Sequence, residues 1–279
     1  MKNSVKIKKY SGELVDFDEE KLIRSLRHAG AGEARSLEIT SQVKKALFDG
    51  ISTQRIYSMA FQLLKQDQRA FASRYKTKKA IMELGPSGFP FEQFIRHIFD
   101  HDGYSTQSGV FLQGNCATHE VDVIASKENL VYLVECKYHN TQGKVSDIKI
   151  PLYVQSRFTD IVKNHRDNAG GQKIEYQGWI VTNTRFTLDA QQYGKCIGLQ
   201  LVSWDHPETK SLRDRINRSR LFPITALTTL TRKEKSNLLA EGIVLCKELQ
   251  QNTELLDKLG LSGARRQKVI TDLFELCKK

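Results

Sequence analysis

The sequence predicts an α/β chain in three parts: a small α+β unit, a central mixed-sheet core and a helical C-terminal unit. Three observations predict it. Residues 4–84 begin with one short alternating hairpin and continue in helical periodicity. Between about 119 and 206, β-branched runs alternate with helical segments, as a mixed α/β sheet requires. Beyond about 221 only helical spacing recurs. The expected boundaries are 1–84, 88–220 and 221–279, with Gly85-Pro86-Ser87-Gly88 as the linker between the first two.

In the first part, residues 5–10 and 13–17 alternate across Ser11-Gly12 as a small hairpin. Asp18 is placed to cap a helix over 19–29, which Gly30 ends. A second helix covers about 37–48 and closes at Asp49-Gly50. Ser52 or Thr53 caps a third over 54–66, and a fourth runs from about 69 to 83. Leu22, Ile23, Leu26, Val43, Ile56 and Leu63 belong to an apolar set at helical spacing that reads as core. Paired lysines on a hairpin, with Lys21 in a helix's first turn, make a cradle for phosphate.

This part resembles an ATP-cone, the regulatory nucleotide-binding module of ribonucleotide reductases and of a related transcriptional repressor. The matching residues are Val5-x-x-Lys8-Lys9, Phe17-Asp18-x-x-Lys21-Leu22, Gly50-Ile51-Ser52-Thr53, Ile56 and Ala72-x-Arg74-Tyr75. The resemblance implies that Lys8, Lys9 and Lys21 hold the phosphates of ATP or dATP, with Thr53 nearer the base. It also implies cone-to-cone association, and so a homo-oligomer. The family's usual Lys-Arg at the hairpin is Lys-Lys here, and Tyr10 lengthens the turn.

The central part is organised around residues 119–139. Strands are predicted over 121–125 and 130–137, joined by the polar turn Ser126-Lys127-Glu128-Asn129. Glu135 and Lys137, two apart, point to one face of their strand, and Cys136 to the other. Burying such charges is costly unless they are paired or bind metal. Asp122, on the neighbouring strand, supplies a second carboxylate. Two hard oxygen ligands beside an ammonium suit Mg²⁺ and the polarisation of a phosphodiester. The alternative is a solvated ion pair between Glu135 and Lys137.

Past the hairpin come a polar loop at 141–144, a helix over 148–163 with Pro151 in its first turn, a strand over 178–182, a helix over 188–194 and a strand over 199–204. Gln155 and Arg157 on the first of these helices are either phosphate contacts or ordinary exposed residues. The run Thr182-Asn183-Thr184-Arg185-Phe186-Thr187 closes a strand where sites tend to form, or simply caps the next helix. Cys116-x-x-His119 and Cys136-x-x-His139 imitate a zinc set, but Cys136 lies inside a strand, where positions i and i+3 face opposite sides. Zinc is rejected.

Upstream, residues 88–99 form an amphipathic helix carrying Glu92, and Gly103-Tyr104 follows. Gly88, Phe91, Glu92, Gly103, Tyr104, Asp122-Val123-Ile124 and Glu135-Cys136-Lys137, in that order, resemble the Mrr-like branch of the PD-(D/E)xK nucleases over about residues 88–206. The resemblance implies a PD-(D/E)xK mixed-sheet core and a restriction-type, Mg²⁺-dependent DNA endonuclease. Asp122 and Glu135 would hold the metal, and Lys137 would stabilise charge building on the scissile phosphate or position the attacking water. Glu92 would orient a water or a neighbouring ligand. In one departure, Glu120-Val121 stands where the family commonly has Gly before the Asp-Val-Ile strand.

Helices are predicted over 233–240, 244–249, 252–258 and 265–277. Residues 238–243 and 259–264 loosely resemble helix-hairpin-helix corners, whose turns could offer N–H groups to phosphate with help from Arg265, Arg266 and Lys268. A plain helical bundle is the preferred reading.

The net charge of +11 over 279 residues favours a polyanionic partner. The five cysteines are scattered and form no Cys-x-x-Cys pair, as expected in a reducing cytoplasm. No apolar run is long enough to span a bilayer, and the basic start has no apolar stretch behind it, so neither membrane insertion nor export is expected. The expected function is cleavage of double-stranded DNA, regulated allosterically by ATP or dATP. The alternative is a nucleotide-responsive DNA-binding regulator with an inactive nuclease fold. Against it stand the intact Asp122, Glu135 and Lys137, and the lack of the Cys-x-x-Cys zinc ribbon that the cone-bearing repressor carries.

Overall fold

The computed structural model describes residues 5–167 and 173–278; the basic start, residues 1–4, lies outside them. The chain divides into two compact units, Met1–Ala80 together with Phe222–Lys279, and Ile81–Leu221.

In the first unit, β1 (Lys6–Lys8) is the middle strand of three. It pairs antiparallel with β2 (Leu14–Asp16) and parallel with β3 (Ile51–Ser52). Helices α1 (Glu19–His28), α2 (Glu33–Lys45), α3 (Thr53–Asp67) and α4 (Arg69–Tyr75) accompany this sheet. The Asp18 carboxylate caps α1 by accepting from the Lys21 amide at 2.9 Å. At α3 the cap is Ser52, not Thr53. Leu22, Leu26, Ile39, Val43, Ile56, Ala60 and Leu64 form the core.

In this unit two helices depart clearly from the sequence pattern. α2 starts at Glu33 rather than near 37. The helix expected over 69–83 is broken into α4 and α5 (Thr77–Met82), where the Thr77 hydroxyl donates to the Arg74 carbonyl at 2.6 Å.

The second unit holds a five-stranded mixed sheet, β4 (Ser105–Gln113), β5 (Thr118–Lys127), β6 (Leu130–Lys137), β8 (Glu175–Thr182) and β10 (Gln200–Val202), in the order β10-β8-β6-β5-β4. β4, β5 and β6 run antiparallel, whereas β8 and β10 extend the sheet in parallel. A second ribbon pairs β7 (Val145–Ser146) with β9 (Arg185–Phe186).

Helix α6 (Phe89–His101) buries Phe91, Phe94, Ile95, Ile98 and Phe99, and Phe99 meets Tyr132 and Trp179 on one face of the sheet. Helices α7 (Lys149–Asp167) and α8 (Leu188–Ile197) cover the other face, where Val154, Phe158, Ile161 and Ala190 join Leu133, Ile180, Leu199 and Leu201. Each fully buried Leu, Ile or Phe contributes about 1.5–3 kcal/mol relative to exposure. Gly178 allows this closeness, since a Cβ there would lie 2.6 Å from Leu199 and 2.8 Å from Phe158. α9 (Leu212–Ser219), opened by a Ser211–Asp214 capping box, completes the unit.

The chain returns to the first unit through a 3₁₀ turn at Ile224–Ala226, then α10 (Arg232–Ala240), α11 (Cys246–Gln251), α12 (Leu255–Lys258) and α13 (Gly263–Cys277). These helices dock on the cone-like part. The Arg74 guanidinium donates to the Glu275 and Leu276 carbonyls at 3.2 and 3.4 Å, and the Thr225 hydroxyl donates to the Ala80 carbonyl at 2.6 Å. Lys76 and Lys235 each donate to the Thr225 carbonyl at 3.0 Å. Arg265 and Arg266 are engaged by Glu234 and Asp257 at 2.7 and 2.8 Å. Among the described residues no helix is long and apolar enough to cross a membrane.

Candidate active site

The site forms where the antiparallel strands part. The β5–β6 ladder runs in register up to Val123↔Val134. One residue further, the Asp122 carboxylate turns and accepts from the Cys136 amide at 2.7 Å, replacing a backbone partner. On its other side, the β4–β5 register passes from Ser108↔Val123 to Val110↔Val121, and the skipped residue is Gly109, at φ +62°. Glycine adopts that left-handed backbone without the penalty a side chain carries. Asp122, opposite Gly109 in an otherwise unbroken register, thus sits at a gap in both ladders while remaining within β5.

Glu135 points to the α7 face, as strand alternation from Leu133 requires. Its carboxylate is held by Arg157 of α7 at 2.8 Å, and both side chains are mostly covered, with 16% and 13% exposed. The same guanidinium donates to the Glu120 carbonyl and lies over the Tyr153 ring, 5.4 Å from its centroid. The solvated Glu135–Lys137 pair is therefore not the arrangement found. Lys137 stands two residues on, at the end of β6, registered against Thr182.

Glu92 enters from α6. The segment before that helix is pinned to the exit of β6: Tyr138 Oη donates to the Met82 carbonyl at 2.7 Å and accepts from the Gly85 amide at 2.8 Å. Phe91 packs on the Tyr138 ring, 5.7 Å between centroids. Burial, then Glu120 and Glu135, push the Glu92 carboxyl above its ordinary range. Burial, then Glu135, push Asp122 up to about 7, against the downward pull of the Cys136 amide and Arg157. Glu92, Asp122 and Glu135 thus share one electrostatic neighbourhood, to which the structure adds Glu120 and Arg157.

The exits of β6 and β8 are tied together. Asn183 accepts from the His139 amide at 2.9 Å and donates to the His139 carbonyl at 2.7 Å. His139 Nε2 meets the Ser146 hydroxyl at 2.9 Å. His119 instead meets Asp160 at 2.8 Å, where Asp160 also accepts from the Cys116 amide at 2.9 Å. Cys116 and His119 thus share Asp160, whereas the Cys136 amide meets Asp122 and His139 meets Ser146. Among the described residues, no group of three or more His, Cys, Asp or Glu is placed to hold a metal.

In the first unit, β1–β3 pairing registers Lys8 against Ser52, beside Thr53 at the start of α3. Lys9 follows β1 directly and pairs with Glu13 at 2.9 Å. Lys21 lies in the first turn of α1, reached from β2, whose last residue Asp16 is registered against Lys6. The register thus brings Lys8, Lys9 and Thr53 to one end of β1 and sets Lys21 beyond the other. Lys8, Lys9 and Lys21 are exposed.

An uncharacterized protein of Archaeoglobus fulgidus is 31% identical to this chain over 179 residues, 64% of this chain and 97% of that protein. The chain belongs to the family of this archaeal protein. Within it, residues 5–80 match the family model for the ATP cone domain and residues 85–208 the one described as restriction endonuclease. Residues 222–277 match the model described as AF1548-like, C-terminal. The chain therefore carries an ATP-cone followed by a restriction-endonuclease-like domain, as the sequence resemblances imply, and ends in an AF1548-like domain.

A solved structure described as a protein of unknown function, AF1548, is 29% identical, with a TM-score of 0.55, covering 68% of this chain and 98% of its own. A structure of the MspJI restriction endonuclease in complex with a 27-mer oligonucleotide is 14% identical, with a TM-score of 0.34, covering 72% of this chain and 39% of its own. The latter likeness is too slight to bear on the fold.

Proposed function

We propose that this family member is a Mg²⁺-dependent endonuclease of double-stranded DNA, acting in the cytoplasm and regulated by ATP or dATP. Nucleotide sensing is assigned to residues 1–84 and cleavage to 88–220, with 221–279 a helical domain packed with the first. One observation carries the reading: Asp122 leaves the strand ladder to lie beside Glu135, with Lys137 next on the same face.

The residues suit a divalent cation. Asp122 and Glu135 are hard oxygen donors, and the burial and then the Glu135 charge that disfavour ionised Asp122 are costs a dication relieves. Mg²⁺ keeps several waters and takes one or two carboxylates, so a larger protein ligand group is unnecessary. Bound there, it would supply charge neutralisation at a phosphodiester. The Cys136 amide fixes the Asp122 carboxylate, and the Lys137 ammonium stabilises charge developing on phosphate oxygens. Glu92 orients a water or a neighbouring ligand.

On the cone, Lys8, Lys9 and Lys21 hold nucleotide phosphates, with Thr53 nearer the base. Nucleotide then acts by binding one conformation or assembly better than another. Plasmid cleavage in Mg²⁺ tests the whole reading, on methylated and unmethylated DNA, with and without ATP and dATP. Mg²⁺-dependent nicking that responds to nucleotide is expected; no cleavage under any of these conditions rejects it.

A further inference from the structure

The carboxylates Glu92, Asp122 and Glu135 feel one another's charge, and one cation reaches Glu135 from a different element. Arg157, on α7, places Nη1 2.8 Å from Glu135 Oε2 while Nη2 donates to the Glu120 carbonyl. Tyr153, one turn earlier and 63% exposed, lies under the guanidinium. Three contacts of different kinds thus converge on one side chain, which leaves only 13% of itself exposed. A surface arginine does not need such a seat. A planar guanidinium that offers one fork to a carboxylate and the other to a carbonyl is the arrangement for which arginine, rather than lysine, is suited.

Glu135 Oε2 is also an oxygen that a dication would claim. Mg²⁺ bonds its oxygens at about 2.0–2.1 Å, which would bring it within about 5 Å of the Arg157 nitrogen on the same atom. In a mostly covered site, water screens two like charges poorly at that separation.

We infer that Arg157 and a divalent cation compete for Glu135, so that Arg157 is the side chain that sets how tightly the site takes metal. The inference rests on the metal reading of Asp122 and Glu135 given above. It differs from the role of phosphate contact that position on the helix suggests. Arg157 acts through Glu135 and is a positioning residue.

The test is calorimetric titration of MgCl₂ and MnCl₂ into the full chain, as wild type, Arg157→Met and Glu135→Gln. Arg157→Met should bind at least about fivefold tighter, the lower end of the coupling expected between linked sites. Glu135→Gln should lose the binding event. No binding by the wild type, or equal binding by Glu135→Gln, removes the metal reading and the inference with it. Loss in Glu135→Gln with unchanged or weaker binding by Arg157→Met overturns the competition alone.

A measurement on the wild type keeps the test open if Arg157→Met does not fold. In ¹⁵N-arginine-labelled protein, the Arg157 Nε–H resonance should shift along the same isotherm as Mg²⁺ is added. A stationary resonance at saturating Mg²⁺ overturns the competition.

Discussion

The Asp122 carboxylate accepts the Cys136 amide hydrogen at 2.7 Å, one residue beyond the last registered pair of β5 and β6. A side chain here does a backbone's work. It orients a carboxylate that burial and Glu135 hold up to about 7, and that elevation has a consequence for stability.

Between the ordinary carboxylate range near 4 and about 7, the folded state binds a proton at Asp122 that the unfolded state does not. Stability therefore falls as pH rises through that window, and the full penalty is present above it. Asp122→Asn keeps an acceptor for the Cys136 amide and carries no charge. In EDTA it should match the wild type near pH 4 and exceed it above pH 7, by on the order of 1–4 kcal/mol. Urea unfolding across pH 4–8 measures this, and a difference that does not vary with pH contradicts the raised carboxyl.

Removing the chemistry should spare binding. Asp122→Ala and Lys137→Ala should each lower Mg²⁺-dependent cleavage by about 10²-fold or more while leaving DNA affinity nearly unchanged. Cleavage by both variants at the wild-type rate would count against the assignment. Circular dichroism separates loss of chemistry from loss of fold.

On the cone, Lys9→Ala combined with Lys21→Ala should abolish nucleotide binding by calorimetry. It should also abolish any change that ATP or dATP makes in sedimentation and DNA activity. A coupling of about 1–3 kcal/mol predicts changes of several-fold to about a hundredfold in the wild type. Binding by the wild type with neither response would leave the cone a passive stabiliser.

Arg74 closes the last carbonyls of α13. Arg74→Met keeps much of the stem and loses the Nη2 donor shared by both bonds, so unfolding free energy should drop by about 1–3 kcal/mol. An unchanged urea midpoint would mean these bonds contribute nothing to holding the C-terminal helices.

Arg265 and Arg266 pair with Glu234 and Asp257, with at least one partner of each pair open to solvent, where such pairs contribute about 0–1 kcal/mol each. Replacing both with alanine should therefore change stability little. If they also meet DNA phosphates, the slope of log affinity against log salt falls by about 2. An unchanged slope leaves the AF1548-like domain a structural element.

The sequence was most legible where one local pattern decides one local structure. The β-branched runs on either side of Ser126-Lys127-Glu128-Asn129 became β5 and β6, and Asp18 became the cap of α1. β4 escaped notice because its first half, Ser105-Thr106-Gln107-Ser108-Gly109, carries no apolar alternation; it is a strand because β5 pairs with it along its length. α9 has a readable start in the capping box Ser211-x-x-Asp214. The break between α4 and α5 has no Gly or Pro to announce it, and depends on which carbonyl the Thr77 hydroxyl finds.

At the site, the order of Glu92, Asp122, Glu135 and Lys137 along the chain was readable. That Glu135 belongs to Arg157, and that Glu120 joins the cluster, was not. Those contacts join residues 22 or more apart on separate elements, and no spacing rule reaches that far.

The bond from Arg74 to Glu275 spans 201 residues. Because the first unit is built from Met1–Ala80 and Phe222–Lys279, a ribosome adds everything in the second unit before it supplies the last two-fifths of the first. Ile81–Leu221 can reach its final form while the chain is still being made, whereas the final helices must find the cone afterwards, with a long intervening segment already closed. The birth order of this protein thus puts the nuclease-like unit first and the finished ATP-cone unit second. A newly made chain passes through an interval in which the nuclease-like unit is whole and the ATP-cone unit still lacks its C-terminal helices.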